Sequence, residues 1–185
     1  MEPIFINSII NMLQGRSIFL IGMMGAGKSA TGPKLAENLK YKFIDLDILI
    51  EKVAKKSIKD IFLKEGESYF RDLETKCLQE IIKVPSLVIS TGGGIITKTK
   101  NWGILRQGIV VWLDISKNVA LERLNGEIIN RPLLKNKDIE KIYTDLFHSR
   151  ENLYSQADLH IQISNENVEE VKNKILLKLY KDIKG

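Results

Sequence analysis

Short apolar runs alternate with longer amphipathic segments along most of this chain. Five of the runs are rich in β-branched residues and predict strands, and several are apolar at consecutive positions, as expected of strands covered on both faces. The runs are SIFLI (17–21), KFIDL (42–46), SLVIS (86–90), IVVWL (109–113) and LHIQI (159–163).

Segments with helical periodicity separate these runs. Alternation of strands and helices predicts an α/β fold, with a parallel sheet and helices on both of its faces. The length of 185 residues favours a single domain over 1–185, with 1–15 as a short extension packed on it. The predicted helices span 28–40, 47–56, 58–65, 67–83, 98–106, 117–125, 138–156 and 167–181.

One polar segment interrupts the alternation. NGEIINRPLLKNKD (125–138) contains a glycine and a proline and lies between two predicted helices. A stretch of this kind inside a compact domain is typical of a mobile lid over a binding site.

Composition narrows the function classes. Hydrophobic residues make up 44% and charged residues 28% of the chain, which excludes disordered and fibrous proteins. The net charge of +5 suits either nucleic acid or a small anionic ligand. Because the lysines are scattered and no aromatic residues are interleaved among them, we expect no nucleic-acid partner.

The N-terminal residues and the cysteine count bear on location. Residues 1–15 contain Glu2 but no lysine or arginine, unlike signal and transit peptides, and no apolar run is long enough to cross a bilayer. The single cysteine, Cys77, allows no internal disulfide and no cysteine metal cluster. We therefore expect a cytoplasmic protein without a membrane partner, and a monomer.

The stretch LIGMMGAGKSATG (20–32) matches the phosphate-binding pattern G-x-x-x-x-G-K-[ST], with a predicted strand before it and a predicted helix after it. Backbone N–H groups of such a loop form a concave anion site at the start of a helix. The lysine adds a positive charge between the phosphates, and the serine hydroxyl is suited to Mg²⁺. The predicted nucleotide-binding residues here are Gly22, Gly25, Ala26, Gly27, Lys28, Ser29 and Ala30.

The remaining sequence separates the classes that share this loop. A GTPase needs a D-x-x-G switch after the loop, but DIKG occurs only at 182–185. A motor usually has a strand that ends in Asp-Glu, whereas SLVIS runs into the glycines of 92–94. A small-molecule kinase is therefore favoured.

Five further motifs agree with that interpretation. FIDLD (43–47), FRDLE (70–74), VISTGGG (88–94), RPLL (131–134) and RENLYSQA (150–157) resemble, in order and spacing, the motifs of the shikimate kinases. The resemblance covers nearly all of 17–163. It implies a five-stranded parallel sheet in the order 2-3-1-4-5, of the nucleoside-monophosphate-kinase type, and transfer of the ATP γ-phosphoryl group to the 3-hydroxyl of shikimate.

The resemblance also implies roles for the acidic and basic residues. Asp45 would act on Mg²⁺ together with Ser29, and Asp47 would bind the acceptor hydroxyl; both acids are expected at a strand end, pointing the same way. Arg71 and Arg150 would clamp the shikimate carboxylate, because a guanidinium offers two parallel hydrogen bonds to a carboxylate. Backbone N–H groups of Gly92, Gly93 and Gly94 would approach the substrate.

Two more arginines belong to the nucleotide side of the predicted site. Arg131, in the lid, would neutralise charge that develops during transfer, and Arg123 resembles the arginine that stacks on adenine. Lys28, Asp47 and Arg131 are thus the predicted catalytic residues. His148 and His160 lack ligand partners at metal spacing, so both are expected to be structural.

Two alternatives stay open at this point. One is a different small-molecule kinase of the same fold, acting on gluconate or a nucleotide. The other is an inactive relative that binds the same ligands without turnover.

Overall fold

A computed structural model describes residues 3–127 and 138–183 of the chain. The strands are β1 (Ile18–Ile21), β2 (Lys42–Asp45), β3 (Leu87–Ser90), β4 (Ile109–Ile115) and β5 (Leu159–Ile163). The helices are α1 (Pro3–Leu13), α2 (Lys28–Leu39), α3 (Leu46–Ala54), α4 (Ile58–Lys64), α5 (Gly66–Ile81), α6 (Thr99–Leu105), α7 (Lys117–Glu127), α8 (Ile139–Tyr154) and α9 (Val168–Asp182). A short 3₁₀ turn spans Ile95–Thr97.

The five strands form one parallel sheet in the order β2-β3-β1-β4-β5, which confirms the predicted order and α/β class. Every residue of β1 and β3 is buried, whereas the edge strand β5 alternates between buried and exposed positions. The consecutive apolar residues of the central strands follow from this, because helices cover both faces of the sheet there.

Residues 1–15 were expected only to form a packed extension. They contain α1, which packs on α2 and α9. Ile9 and Leu13 are buried in the hydrophobic core, and the rings of Phe5 and Tyr180 lie 4.7 Å apart. The segment therefore contributes to the core as a regular helix.

The direction of the strands places the predicted motifs together. In a parallel sheet the carboxyl ends of neighbouring strands lie at the same edge. The phosphate loop follows β1, Asp45 ends β2, and Gly92–Gly94 follow β3. The backbone N–H of Thr91 donates to the Leu20 carbonyl (3.2 Å), and this bond fastens the start of the glycine loop to the strand before the phosphate loop.

Two sequence predictions differ from the structure or lie outside its description. The strand predicted over 42–46 ends at Asp45, because the Asp45 side chain turns back and accepts hydrogen bonds from the N–H groups of Asp47 and Ile48, which begins α3. Of the predicted lid, the first residues belong to α7 and Asp138 caps α8. Residues 128–137 lie outside the described part of the chain.

None of the helices in the described ranges is both long and apolar enough to cross a membrane.

Two glycines near β4 give a matched test of packing. A Cβ atom on Gly108 would lie 2.4 Å from the Ser17 carbonyl oxygen, whereas one on Gly103, in α6, would meet nothing within 4 Å. Gly108→Ala should lower the free energy of unfolding by about 1–3 kcal/mol. Gly103→Ala should raise it by up to about 1 kcal/mol, since alanine favours a helix interior.

Urea denaturation of both variants and the native protein measures these changes. Equal effects of the two substitutions would contradict the packing described around the Ser17 carbonyl.

Candidate active site

A cavity of about 930 Å³ opens at the carboxyl edge of the sheet. The phosphate loop and the start of α2 line one side of it. The start of α3, the first half of α5, the glycine loop and α8 line the other, and the start of α9 closes one end. The cavity therefore contains nearly every part of the sequence that was predicted to be functional.

The phosphate loop presents an uncapped helix start to this cavity. Side chains of Asp45, Ser57, Asp138 and Asn167 cap α3, α4, α8 and α9, but no side chain caps α2, whose N-cap is Gly27 with φ of 82°. A helix start of this kind suits an anion, because the helix dipole favours negative charge there.

Lys28 and Gly22 shape the loop itself. The Lys28 ammonium group donates to the carbonyls of Gly22 (2.8 Å) and Met23 (2.9 Å). These bonds keep its positive charge next to the backbone of the phosphate loop. Gly22 has φ of 140°, and a Cβ atom there would lie 2.4 Å from the Leu113 carbonyl oxygen. The contact with β4 thus requires glycine at this position.

Three oxygen-bearing side chains meet beside the loop. Ser29 Oγ donates to Asp45 Oδ2 (2.6 Å) and lies 3.2 Å from Ser90 Oγ. Asp45 and Ser90 are paired in the register of β2 and β3, which brings them together. Oxygen ligands of this kind suit Mg²⁺, which usually takes one or two carboxylates and completes its shell with water and phosphate.

Residues 3–127 and 138–183 contain no group of three or more His, Cys, Asp and Glu side chains able to hold a metal. The described residues therefore form no closed metal cage. The Ser29–Asp45 pair fits instead a Mg²⁺ ion that also binds a phosphate.

Two carboxylates, those of Asp47 and Glu74, lie against Gly92 of the glycine loop. A Cβ atom on Gly92 would be 2.9 Å from Asp47 Oδ1 and 3.0 Å from Glu74 Oε1. Both oxygens are buried and have no hydrogen-bond partner among the described residues. Burial raises the pKa of Asp47, and the nearby negative Asp45 raises it further; burial likewise raises the pKa of Glu74.

Arg71 is fixed in place by two acidic residues of its own helix. One Nη donates to Glu74 Oε2 (2.9 Å), while Nε and the other Nη donate to Glu67 Oε1 (3.2 and 3.1 Å). The Arg71 side chain is only 13% exposed. A Cβ atom on Gly94 would lie 2.3 Å from its Nη2, so any side chain at this position would displace the guanidinium.

Arg150 approaches the same loop from α8. Its Nη1 lies 3.6 Å from the position of a Cβ atom on Gly93, and both Arg150 and Arg71 line the cavity that Lys28 lines. The structure thus brings the two arginines together around adjacent glycines, across one cleft from the phosphate loop.

Arg123 lines the cavity beside the phosphate loop. It donates to the carbonyls of Gly25 (3.1 Å) and Glu166 (3.3 Å) and so links the phosphate loop to the segment before α9. Ala26 and Ala30 line the cavity beside it. Arg131 lies outside the described residues.

Neither histidine lines the cavity. His160 pairs with Asp114 and stacks on Trp112, with ring centroids 4.2 Å apart.

Sequence reasoning missed Glu74 and Tyr154. Glu74 lies three residues after Arg71 and completes the FRDLE motif, and Tyr154 lies four residues after Arg150 in RENLYSQA. These spacings put each residue on the same helix face as its arginine, and that was the available signal. The burial of Glu74 depends on contacts between elements, which the spacing does not contain.

Comparison with known proteins agrees with this geometry. The family described as shikimate kinase matches residues 24–180. The chain belongs to the shikimate kinase family. A shikimate kinase of Prochlorococcus marinus is 52% identical over 174 residues, which cover 94% of this chain and 92% of the relative.

Solved structures extend the comparison. Shikimate kinase from Acinetobacter baumannii in complex with shikimate superposes with a TM-score of 0.84 at 38% identity, covering 91% of this chain and 94% of that one. A gluconokinase from Sinorhizobium meliloti 1021 has a TM-score of 0.61 at 18% identity, covering 89% and 91%. The second likeness shows a common fold only.

The raised pKa of Asp47 predicts an effect of this residue on stability. A carboxyl whose pKa is raised on folding contributes stability below its unfolded pKa, and the contribution is lost as pH rises through the folded pKa. Asp47→Asn removes the ionisation. The ligand-free variant should therefore melt about 2–4 °C above the native protein at pH 7.5, the effect of roughly 1 kcal/mol, and the gain should shrink toward pH 4.5.

Asp60→Asn is the matched control. Its pKa is lowered by the hydrogen bond from Ser57, so this variant should lose stability at pH 7.5. Thermal denaturation from pH 4.5 to 8 measures both. A loss of stability at pH 7.5 in Asp47→Asn as well would contradict the unpartnered state of its Oδ1.

Proposed function

We propose that this chain transfers the γ-phosphoryl group of ATP to the 3-hydroxyl of shikimate, giving shikimate 3-phosphate and ADP, a step of aromatic amino-acid biosynthesis. The observation that carries the proposal is the convergence of Arg71 and Arg150 on the glycine loop, in the cavity that also holds the phosphate loop. Membership of the shikimate kinase family supports it.

The donor half of the site is assigned to the phosphate loop. The N–H groups at the start of α2 bind the phosphates, and Lys28 neutralises charge between the β- and γ-phosphoryl groups. Ser29 and Asp45 would hold Mg²⁺, Asp45 through water, and the ion would supply positive charge that offsets the negative phosphate oxygens.

The acceptor half is assigned to Asp47, the two arginines and the glycine loop. Asp47 accepts a hydrogen bond from the 3-hydroxyl, and its raised pKa brings the carboxylate closer to the basicity that proton acceptance requires at neutral pH. Arg71 and Arg150 bind the carboxylate of shikimate, and N–H groups of Gly92–Gly94 orient the substrate. Fixing the ring at both ends aligns the hydroxyl with the phosphorus.

The remaining assignments concern adenine and closure. Arg123, which is held between Gly25 and Glu166, is proposed to stack on adenine. Arg131 and the lid over 125–138 stay predictions, in which closure excludes water as a competing acceptor. Cytoplasmic location and a monomeric state also stay predictions.

A panel of acceptors tests the proposed function. ADP release coupled to a dehydrogenase should depend on shikimate and should be at least about a hundredfold slower with gluconate or a nucleoside monophosphate, because only shikimate would match both Asp47 and the guanidinium pair. Preference for an acceptor without a carboxylate would contradict the arginine assignment. Tight shikimate binding without turnover would instead support the inactive binding module.

Arg71→Lys tests the acceptor half separately. Lysine keeps the charge but loses the planar fork, so KM for shikimate should rise about tenfold or more, while KM for ATP should change less than about twofold. Steady-state kinetics with each substrate varied in turn measures the two constants.

Arg106→Lys is the matched control for this substitution. Arg106 lies outside the cavity lining and bonds to Gln156, so neither constant should change. Equal rises of both KM values in Arg71→Lys would refute a role confined to shikimate.

A further inference from the structure

The hydroxyl of Tyr154 stands where three parts of the site meet. It donates to the Gly93 carbonyl at 2.6 Å and lies 3.8 Å from the sulfur of Met23. The same hydroxyl and Arg150 Nη1 lie 3.4 and 3.6 Å from one point, the position of a Cβ atom on Gly93. The hydroxyl thus contacts the glycine loop and the phosphate loop at the place where the arginine assigned to the carboxylate approaches.

The hydrogen bonds at this hydroxyl have a defined direction. Burial raises the pKa of Tyr154 to about 12, so the phenol keeps its proton throughout the physiological range. The O–H therefore serves as the donor to Gly93, and its lone pairs remain to accept from Arg150, which can only donate. Replacement of the hydroxyl by hydrogen would remove the donor to the Gly93 carbonyl and an acceptor from beside Arg150.

The aromatic ring of Tyr154 is held by the hydrophobic core and by Trp112. Tyr154 is completely buried and stacks on Trp112, with ring centroids 5.7 Å apart and an angle of 16° between the planes. Trp112 in turn lies beside Gly22, 3.5 Å from the position of a Cβ atom there. Burial and stacking therefore hold the ring, and with it the hydroxyl, in one position.

From this geometry we propose that Tyr154 is a positioning residue, which orients the Arg150 guanidinium and the Gly93 peptide so that the carboxylate of shikimate meets a preformed site. The inference rests on the proposed function. It adds a residue that does not line the cavity and that acts through its two partners.

The sequence spacing explains how one helix supplies both groups. Arg150 and Tyr154 are four residues apart on α8 and therefore lie on one face. The arginine reaches the cavity, and the tyrosine lies one turn further along, beneath the loop that the arginine approaches.

Tyr154→Phe tests the proposal, and α8 itself offers a matched control. Tyr143 is on the same helix, its side chain is also buried, and its hydroxyl has no partner among the described residues. KM for shikimate should rise about tenfold in Tyr154→Phe, as expected for a lost hydrogen bond to a charged group, with less than a twofold change in KM for ATP. Tyr143→Phe should change neither constant.

A double-mutant cycle separates positioning from general stability. Kd for shikimate would be measured for the native protein, Tyr154→Phe, Arg150→Lys and the double variant, with thermal denaturation to establish that each is folded. Because part of the effect of Tyr154 is proposed to pass through Arg150, the loss of affinity in the double variant should be clearly smaller than the product of the two separate losses. Multiplication of the two separate effects would overturn the proposal, as would an unchanged KM for shikimate in Tyr154→Phe.

Failure of the proposed function gives a different result. The native protein would then show no shikimate-dependent release of ADP, whereas failure of this inference leaves that activity intact and removes only the selective effect of Tyr154→Phe. If Tyr154→Phe does not fold, the cycle is run with Tyr154→His, which keeps a ring but is too short to place a donor at the position of the phenol oxygen. Weak binding in Tyr154→His that simply multiplies with Arg150→Lys would overturn the proposal equally.

Discussion

The parallel pairing of β1 with β3 is the constraint on which the site depends. Because both strands run in the same direction, the phosphate loop and the glycine loop leave the sheet at the same edge, side by side. The hydroxyl of Thr91 adds a second bond to the Leu20 carbonyl (3.0 Å) beside the one from its N–H. An antiparallel pair would send these loops to opposite ends of the molecule.

Two buried carboxylates at this edge lower the stability of the ligand-free protein. Asp47 and Glu74 each carry a buried oxygen without a partner among the described residues, and burial raises the pKa of both. A buried acceptor that makes no hydrogen bond costs roughly 1–3 kcal/mol. Such a cost is typical of binding sites, where the missing partner belongs to the substrate.

Much of the architecture could be predicted because it depends on short sequence patterns. Continuous apolar runs identify buried strands, and the loop around Lys28 is recognisable because its chemistry needs glycines, a lysine and a serine at set positions. The strand order and the two arginines came from motif resemblance. Contacts across the fold were not predictable in this way. Nothing in the spacing of FRDLE says that Glu74 is enclosed, and nothing in RENLYSQA says that the Tyr154 hydroxyl reaches Gly93.

The position of Asp47 also differs from the prediction. Asp47 was expected in line with Asp45 at a strand end, but Asp45 caps α3 and Asp47 reaches the cavity from the first turn of that helix. Side-chain hydrogen bonds decide between continuing a strand and capping a helix, and residue alternation does not reveal them.

Helix α1 has a consequence for how far the catalytic unit extends. The residues that match the family begin at 24, yet Ile9 and Leu13 are buried against the rest of the fold and α1 packs on both α2 and α9. The segment that matches the family is therefore smaller than the segment that folds. A chain that lacked only α1 would expose an apolar strip along α2 and α9, the first of which begins at the phosphate loop, and would gain a surface prone to self-association.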